Sequence, residues 1–506
     1  MAIIALVIIA PIFSIFYYAI LGDTSLWPHL FSTVLPRYLT NTIILMFGVG
    51  GLSLVFGLTT AWIVTRYNFF GKKFFEWMLL LPAAVPAYII AYTYTDFFEY
   101  AGPLQSLLRD IFGWTSSKDY WFPNVRSMGG AILVMSSVLY PYVYLMTRAS
   151  FITTPISFFQ TSSIYGRNSF FNVAIPFGRP GIIAGLALVL METISDFGTV
   201  DYFAIETLTL GVFNVWLGMN SLSGASQISS ILFMIVIVLL TLEYLGRRSR
   251  KFHEKYSGAS YTPTQTVSGV KNFLLFLICL IPLSLGFIIP VSILLNFVIK
   301  GYSIINFLEI FQITLSSISL AFISSSLIML LSLLMIIVGA YKSNNFQKIL
   351  IFFASSGYAF PGTILAVGIV VFVGWLNDLI YFRMSYAVGG FIILLFAYSI
   401  RFLAVGNGAI TSGISRIHPN LLDASRTMGV SFFKSIRKII LPLLYTNLLV
   451  GGILVFVDIL KELPITLLLR PFNFETLATY VYQYASDEML EAVSYTHLTL
   501  PTNDQV

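Results

Sequence analysis

Residues 423–442 read DASRTMGVSFFKSIRKIILP, a polar and basic stretch in a chain that is otherwise strongly apolar. The chain has 506 residues, of which 57% are hydrophobic and only 10% are charged. A soluble protein would have about 25% charged residues. Apolar runs of about 20 residues, long enough to cross the hydrocarbon core as helices, recur along the whole chain. The sequence therefore predicts an all-α polytopic membrane protein, with residues 423–442 in a loop between two spans.

The apolar runs predict eleven spans, at residues 2–21, 41–65, 74–97, 128–147, 181–203, 227–246, 271–299, 312–341, 349–375, 385–404 and 443–469. Four prolines are expected to kink spans: Pro82, Pro86, Pro141 and Pro361. Lysine and arginine concentrate in alternate loops, which the positive-inside rule assigns to the cytoplasm together with the amino terminus. This distribution accounts for the net charge of +6 and requires no nucleic-acid partner.

The sequence also indicates two repeated halves. A basic and then polar segment at 247–270 predicts a cytoplasmic linker between residues 1–246 and residues 271–492. The repeat is anchored on two prolines, each followed at the same distances by a glycine and by two carboxylates: Pro176, Gly185, Glu192 and Asp196 in the first copy, and Pro442, Gly451, Asp458 and Glu462 in the second. Six spans in each half would make the repeats parallel, with the site between them.

The end of the chain has an unusual sequence. Residues 493–502 read VSYTHLTLPT, which is the translation of a transposon-end sequencing adaptor. We therefore expect residues 493–506 to be an artefact. The second half would then be incomplete at about Ala492, with its last helix truncated.

The polar stretch at 423–442 has the composition of a docking helix. Asp423 can cap a helix, because its carboxylate accepts the free amides of the first turn. Ala424 and Ser425 are small enough for another surface to approach closely. Gly429 permits a left-handed turn, and Pro442 opens the next span at a position where a missing amide costs little.

These residues resemble the cytoplasmic loop of the membrane subunits of bacterial ATP-binding-cassette importers. That signature has an acid followed by two alanines, a glycine after three more residues, and a proline thirteen residues after the glycine. Asp423, Ala424, Ser425, Gly429 and Pro442 match it, with serine in place of the second alanine. The resemblance implies a coupling helix that docks on the ATPase subunit. The first copy departs from the signature, with Gln160, Thr161, Ser162 and Gly166 at the matching positions and only ten residues from the glycine to Pro176.

A closer resemblance, to the fused two-half permeases of ferric-iron importers, covers nearly the whole chain to Ala492. It rests on GDTSLWPHLFSTVLPRYLTNT (22–42), LPAAVPAYIIAYTYTDFFEYAGPLQ (81–105), DYWFPNVRSMGGAILVMSSVLYPYVYLMTRASF (119–151), METISDFGTVDYF (191–203) and DILKELPITLLLRPFNFETLA (458–478). It implies the type I importer permease fold in the bacterial inner membrane, two copies of a separate ATPase, a periplasmic substrate-binding protein and no cofactor. The chain has no GxxxxGK[ST] phosphate loop, so we expect no ATPase site of its own.

Four carboxylates fall within predicted spans. Glu192 and Asp196 are spaced i, i+4, as are Asp458 and Glu462, so each pair shares one helix face. Acids at this depth usually face a cavity or a partner. One interpretation is that they line the substrate route, since hard oxygen ligands suit a hard cation such as ferric iron. A second interpretation is that they cap broken helices or pair with Lys461 or Arg470. A third is that they lie in the outer headgroup region and have little function. No metal site is certain from the sequence.

Two other functional classes have to be weighed. A secondary transporter with two six-helix halves could use Glu192 and Asp196 to relay protons or bind sodium. It would explain the buried acids but not the repeated docking loops. A membrane-embedded enzyme would need a nucleophile with a base or a metal cluster, and the sequence offers neither.

Overall fold

The computed structural model describes residues 2–248, 265–301, 307–341, 345–380, 386–414, 417, 421, 425 and 427–486. The predicted linker at 247–270 is therefore described only at its two ends. The predicted adaptor-derived segment at 493–506 lies outside the described residues, as do Asp423 and Ala424.

Helices form most of the described chain. The first twelve are α1 (Ala2–Leu21), α2 (Trp27–Thr33), α3 (Leu35–Arg66), α4 (Lys72–Met78), α5 (Ala87–Phe98), α6 (Pro103–Phe112), α7 (Met128–Ile152), α8 (Ile156–Ile164), α9 (Ile175–Ser195), α10 (Gly198–Tyr202), α11 (Leu208–Phe213) and α12 (Leu222–Arg248). A 3-10 turn at Leu81–Ala84 and π-helical turns at Phe170–Ala174 and Asn214–Gly218 adjoin them.

The remaining helices are α13 (Gly269–Leu283), α14 (Ile289–Gly301), α15 (Phe307–Tyr341), α16 (Asn345–Ala354), α17 (Gly362–Ile380), α18 (Tyr386–Ile414), α19 (Phe432–Ser435), α20 (Leu441–Leu460), α21 (Pro464–Leu469) and α22 (Leu477–Ser486). A 3-10 turn at Ser355–Ala359 and π-helical turns at Ser284–Ile288 and Ile436–Ile440 complete them. The strands β1 (Tyr67–Asn68) and β2 (Gln265–Thr266) pair in parallel, with Tyr67 opposite Gln265.

The membrane character predicted from composition is confirmed. Eight helices of the described residues are long and apolar enough to cross a membrane, and a ninth candidate is a pair bent by 90°. Two further predicted spans correspond to shorter apolar helices, at Ala5–Leu21 and Gly362–Asn377. Each of the eleven predicted spans therefore overlaps an apolar helix, although the one predicted at 349–375 is interrupted by the 3-10 turn Ser355–Ala359. The chain is an all-α polytopic membrane protein.

The bent pair lies at the expected prolines. The helical segment Lys72–Ala84 ends in a 3-10 turn that contains Pro82, and the next segment starts directly after Pro86. Pro86 lacks an amide hydrogen and forces the preceding residue, Val85, into an extended conformation with φ −97° and ψ 124°. The two prolines thus break the predicted span.

The structure divides into two compact units. Of the described residues, the first unit contains those within 27–211, 232–305 and 482–486, and the second contains those within 2–26, 212–231 and 307–481. These limits differ from the sequence halves, because the opening helix of each half belongs to the other unit. In the second unit, for example, Ser14 of α1 donates a hydrogen bond of 2.8 Å to the carbonyl of Gly368 in α17.

Each unit is built around three long helices. In the first unit these are α3, α7 and α9, and in the second they are α15, α18 and α20. Glycine allows the close approach in the first unit. A Cβ on Gly57 of α3 would lie 2.5 Å from Val143 Cβ, and one on Gly185 of α9 would lie 2.7 Å from Val143 Cα. Small residues at such contacts are typical of packed membrane helices.

Candidate functional site

The first-unit acid Asp196 lies where α9 ends and caps the short helix α10. Its carboxylate accepts hydrogen bonds from the Thr199 amide and the Thr199 hydroxyl, both at 2.9 Å, and from the Val200 amide at 3.3 Å. The first amides of a helix have no partner within that helix, so a carboxylate at this position satisfies them. Glu192 lies one turn earlier in α9, is partly buried and is within electrostatic reach of Asp196.

Oxygen atoms of other side chains gather beside Asp196. The Tyr482 hydroxyl donates a hydrogen bond to the carboxylate of Asp201 in α10, and its ring packs edge-on against Tyr88 with centroids 6.2 Å apart. Tyr88 is in turn within electrostatic reach of Asp196. We call Asp196, Asp201, Tyr88 and Tyr482 the carboxylate–tyrosine cluster.

Asp196 and Asp201 form no ion pair with another described residue. Within the described part of the chain, no lysine, arginine or histidine nitrogen lies within 4.0 Å of a carboxylate oxygen of Asp196 or Asp201. The two acids are stabilised by hydroxyl and amide donors instead. The first unit thus places two carboxylates and two phenols in one partly buried region, where Arg126 lies over the ring of the neighbouring Tyr202.

The matching acid of the second unit, Glu462, has a cationic partner. Its carboxylate Oε2 lies 3.2 Å from Nε of Arg401 in α18, and the two side chains are only 5% and 9% exposed. The pair lacks the alignment of a hydrogen bond at Nε, so it is an ion pair. Glu462 Oε1 also accepts a hydrogen bond of 3.1 Å from the Ile465 amide and so caps α21, as Asp196 caps α10.

The space for this buried pair depends on a glycine. A Cβ on Gly362, the first residue of α17, would lie 2.8 Å from Arg401 Nη1 and 2.9 Å from Glu462 Oε1. The other second-unit acid, Asp458, is also paired, with its Oδ1 3.5 Å from Lys461 Nζ. Arg470, which the sequence offered as a further partner, pairs with Glu475 instead.

The two predicted coupling loops form the same turn. In the first, the Arg167 amide donates to the Ser162 carbonyl at 2.9 Å around Gly166, whose φ is +62°. In the second, the Val430 amide donates to the Ser425 carbonyl at 3.0 Å around Gly429, whose φ is +72°. This bond across six residues is the Schellman ending of a helix, in which a left-handed glycine closes the last turn.

The side chains in the two turns are also arranged alike. Ser162 and Ser425 are both buried, and each lies within hydrogen-bonding distance of a second serine hydroxyl, that of Ser169 or that of Ser435. Gln160 and Thr161 are exposed on α8. The first loop therefore forms the same turn although its sequence departs from the importer signature. The two loops differ after the turn, in the number of residues between the glycine and the proline.

Four residues of these sites were not predicted from the sequence: Tyr88, Asp201, Arg401 and Tyr482. Arg401 carried a signal, because it is the one charged residue in the apolar sequence of α18, and a charge in a membrane helix needs a partner. Asp201 follows Asp196 by five residues, but nothing nearby in the sequence points to Tyr482 as its partner. The bond between Asp201 and Tyr482 joins residues 281 positions apart.

Comparison with known proteins connects the chain to transport systems. The Fe(3+)-transport system permease protein FbpB 2 of Haemophilus influenzae is 25% identical over 478 residues, which are 92% of this chain and 87% of the relative. The ferric transport system permease protein FbpB of Actinobacillus pleuropneumoniae is 22% identical over 498 residues, 91% of this chain and 68% of the relative. No family model matches the chain.

A third relative is shorter. The molybdenum transport system permease protein ModB of Haemophilus influenzae is 28% identical over 211 residues, which are 39% of this chain but 88% of the relative. Less than half of the chain thus corresponds to nearly all of a transport permease protein, which agrees with the repeat found in the sequence. These relatives are permease proteins and not enzymes.

Proposed function

We propose that this chain, a homologue of bacterial transport-system permease proteins over nine-tenths of its length, is the channel subunit of an ATP-driven, binding-protein-dependent importer of ferric iron. The observation that supports this most strongly is the similarity to ferric permease proteins across both sequence halves, residues 1–246 and 271–492. The multi-pass fold agrees with such a role. The proposed location is the bacterial inner membrane, with the amino terminus in the cytoplasm.

ATP would be hydrolysed by separate subunits, two copies of an ATPase that dock on the cytoplasmic loops. The repeated turn supports this, because a duplicated loop geometry suits two identical partners. We assign the docking to Asp423, Ala424, Ser425 and Gly429 in the second half. In the first half we assign it to Gln160, Thr161, Ser162 and Gly166. A periplasmic binding protein would deliver the substrate to the opposite face.

The four acids would not all contact the transported cation. Asp196 lies among carboxylate and phenol oxygens, and no cationic nitrogen of the described residues lies within 4.0 Å of its carboxylate. Hard oxygen ligands of this kind suit a hard cation, and Glu192 lies one turn earlier on the same helix. Asp458 and Glu462 each have a cationic partner already. We therefore propose that the first pair lies on the substrate path and that the second pair supports the structure of the second unit.

An ion-coupled secondary transporter is the alternative function, and the same cluster favours it, because uncompensated acids in a membrane can carry protons or sodium. The two proposals differ in their energy source. An importer subunit alone would be inert, whereas a secondary transporter would move substrate in liposomes under an ion gradient.

The deciding experiment is uptake of radioactive ferric iron by proteoliposomes that contain the native full-length permease, its ATPase and its binding protein. Uptake should require ATP and the ATPase. It should collapse in Asp423→Arg and persist in the control Asp110→Arg, which changes an exposed acid in α6. Uptake driven by an ion gradient without the ATPase would refute the importer proposal. If the binding protein stimulated ATP hydrolysis but no iron moved, only the assignment of ferric iron as the substrate would be refuted.

A further inference from the structure

A cavity of about 480 Å³ lies in the first unit at the end of α3, where the chain turns into β1. Its walls come from three places: Trp62 and Arg66 of α3, the segment from Ser163 to Phe170 that follows the coupling turn, and the end of the linker with α13, including Gln265 and Leu275. We call it the Arg66 cavity. By the charge pattern of the loops it lies on the cytoplasmic side.

Arg66 places a guanidinium group in the wall of this cavity. Its guanidinium lies over the ring of Phe159, 5.0 Å from the centroid. Among the residues that the structure describes, no carboxylate lies within 4.0 Å of it, and the lining contains no aspartate or glutamate. A partly buried arginine without a counter-ion is costly, and an anion in the cavity would remove that cost.

The other polar groups of the lining are neutral and include free donors. Asn168 accepts a hydrogen bond from the Phe170 amide with Oδ1, at 2.9 Å, which leaves its side-chain amide nitrogen available. Gln265 is exposed, and the structure gives its side chain no hydrogen bond within the described residues. Arginine and amide donors together match the oxygens of a phosphate group, which guanidinium binds in a bidentate manner.

The remaining lining is apolar. Trp62, Phe170, Leu275 and Ile278 line the cavity beside the donors. A small inorganic anion would leave this apolar surface unused, whereas a ligand with a phosphate at one end and a hydrocarbon body would cover it. Arginine near the end of a membrane helix is also where headgroup phosphates lie.

We propose that the Arg66 cavity binds a phosphate ester, with the phosphate on Arg66, Asn168 and Gln265 and the body of the ligand against the apolar wall. The ligand would be held between α3, the first coupling turn and β2. It would thereby fix the position of that turn, since β2 is itself paired with β1 and Lys271 lies over the Tyr67 ring. The effect on coupling rests on the proposed function, but the binding does not.

Two sources could supply this chemistry, a phospholipid of the inner leaflet or a soluble phosphate ester. We would purify the full chain in a non-ionic, phosphate-free detergent and titrate three probes: short-chain phosphatidylglycerol, glycerol 3-phosphate and inorganic phosphate. Binding would be read by native mass spectrometry and by tryptophan fluorescence. Saturable binding of phosphatidylglycerol alone identifies the lipid, and equal binding of glycerol 3-phosphate identifies the soluble ester.

Arg66→Gln should lower the affinity for the probe by about tenfold, because it removes a charge-assisted bidentate contact. The control Arg179→Gln, an exposed arginine of α9, should change affinity by less than about twofold. Asn168→Ala with Gln265→Ala serves as a second variant if Arg66→Gln does not fold, and should weaken binding severalfold. Absence of saturable binding for all three probes, or equal affinity in wild type, Arg66→Gln and the double variant, would overturn the proposal. Neither result would bear on iron transport, so the two proposals fail separately.

Discussion

The two acid sites come from one repeated sequence pattern but differ in charge. Asp196 and Glu462 each follow their proline by twenty residues, and each caps a short helix. Glu462 is neutralised by the buried Arg401, whereas Asp196 has no cation within 4.0 Å among the described residues. The capping role is therefore common to both copies, and the electrostatic role is not.

This difference shows how a duplicated motif can divide its functions. An ion pair that is only a few per cent exposed is a structural element, because losing one partner leaves a buried charge without compensation. We expect a carboxylate that is held by hydroxyl and amide donors to be open to a passing cation, because no fixed cation has to be displaced. The predictions below test whether the two sites really differ in this way.

The largest expected effect is on stability in the second unit. Arg401→Met leaves Glu462 buried without its partner, so the free energy of unfolding should fall by about 3–5 kcal/mol. Thermal unfolding of the purified protein in detergent would measure the loss. The double variant Arg401→Met with Glu462→Leu removes both charges and should recover most of it. A double variant no more stable than the single one would show that the pair does not act as a unit.

A smaller effect is expected at the glycine that leaves room for this pair. Gly362→Ala places a Cβ within 2.9 Å of both charged groups, and such overpacking should cost about 1–3 kcal/mol. Gly374→Ala is the matched control, because nothing lies within 4 Å of its Cβ position in the same helix α17. Equal melting temperatures for the two alanine variants would contradict the tight packing around Arg401 and Glu462.

The coupling turns should respond equally to loss of their glycines. Gly166 and Gly429 both have positive φ and open space around the Cβ position, so alanine should cost only the left-handed strain, about 1 kcal/mol in each. Asparagine tolerates this conformation and should cost less than alanine. Limited proteolysis of the two loops would report local opening. Faster proteolysis of only one of the two loops would contradict the structural equivalence of the two turns.

The smallest effect is expected for an exposed ion pair of the first unit. Arg37 and Glu206 lie 2.6 Å apart with side chains 65% and 39% exposed. Solvent screens such pairs, so a double-mutant cycle with Arg37→Gln and Glu206→Gln should give a small coupling energy that decreases with salt. If the coupling energy of Arg37 and Glu206 were as large as that of Arg401 and Glu462, burial could not explain why the two ion pairs differ.

Much of the fold could be predicted from the sequence, because lipid imposes simple rules. The lengths of the apolar runs in the sequence predicted the positions of eleven spans, and each of these spans overlaps an apolar helix. The prolines at 82 and 86 located the broken span for a local reason, the missing amide hydrogen. The composition of the two units was not predictable in this way, because the exchange of opening helices depends on which surfaces pack together.

The candidate site was predictable only in part. Helical spacing identified Glu192, Asp196, Asp458 and Glu462. Charge alone suggested Lys461 as a partner for one of the acids, and the structure pairs it with Asp458, three residues away. Arg401 lies 61 residues before Glu462 in the sequence, so its partner could be found only from the packing of α18. The assignment of the four acids to a substrate path stays a prediction.

Iron uptake by the reconstituted importer tests the division of roles most directly. Asp196→Asn and Asp458→Asn make the same chemical change in the two copies, and both retain a side chain that can accept hydrogen bonds. The account predicts that ATP-dependent uptake of radioactive ferric iron falls at least tenfold in Asp196→Asn and less than twofold in Asp458→Asn, with similar melting temperatures. An equal fall in both variants, or no fall in Asp196→Asn, would contradict it.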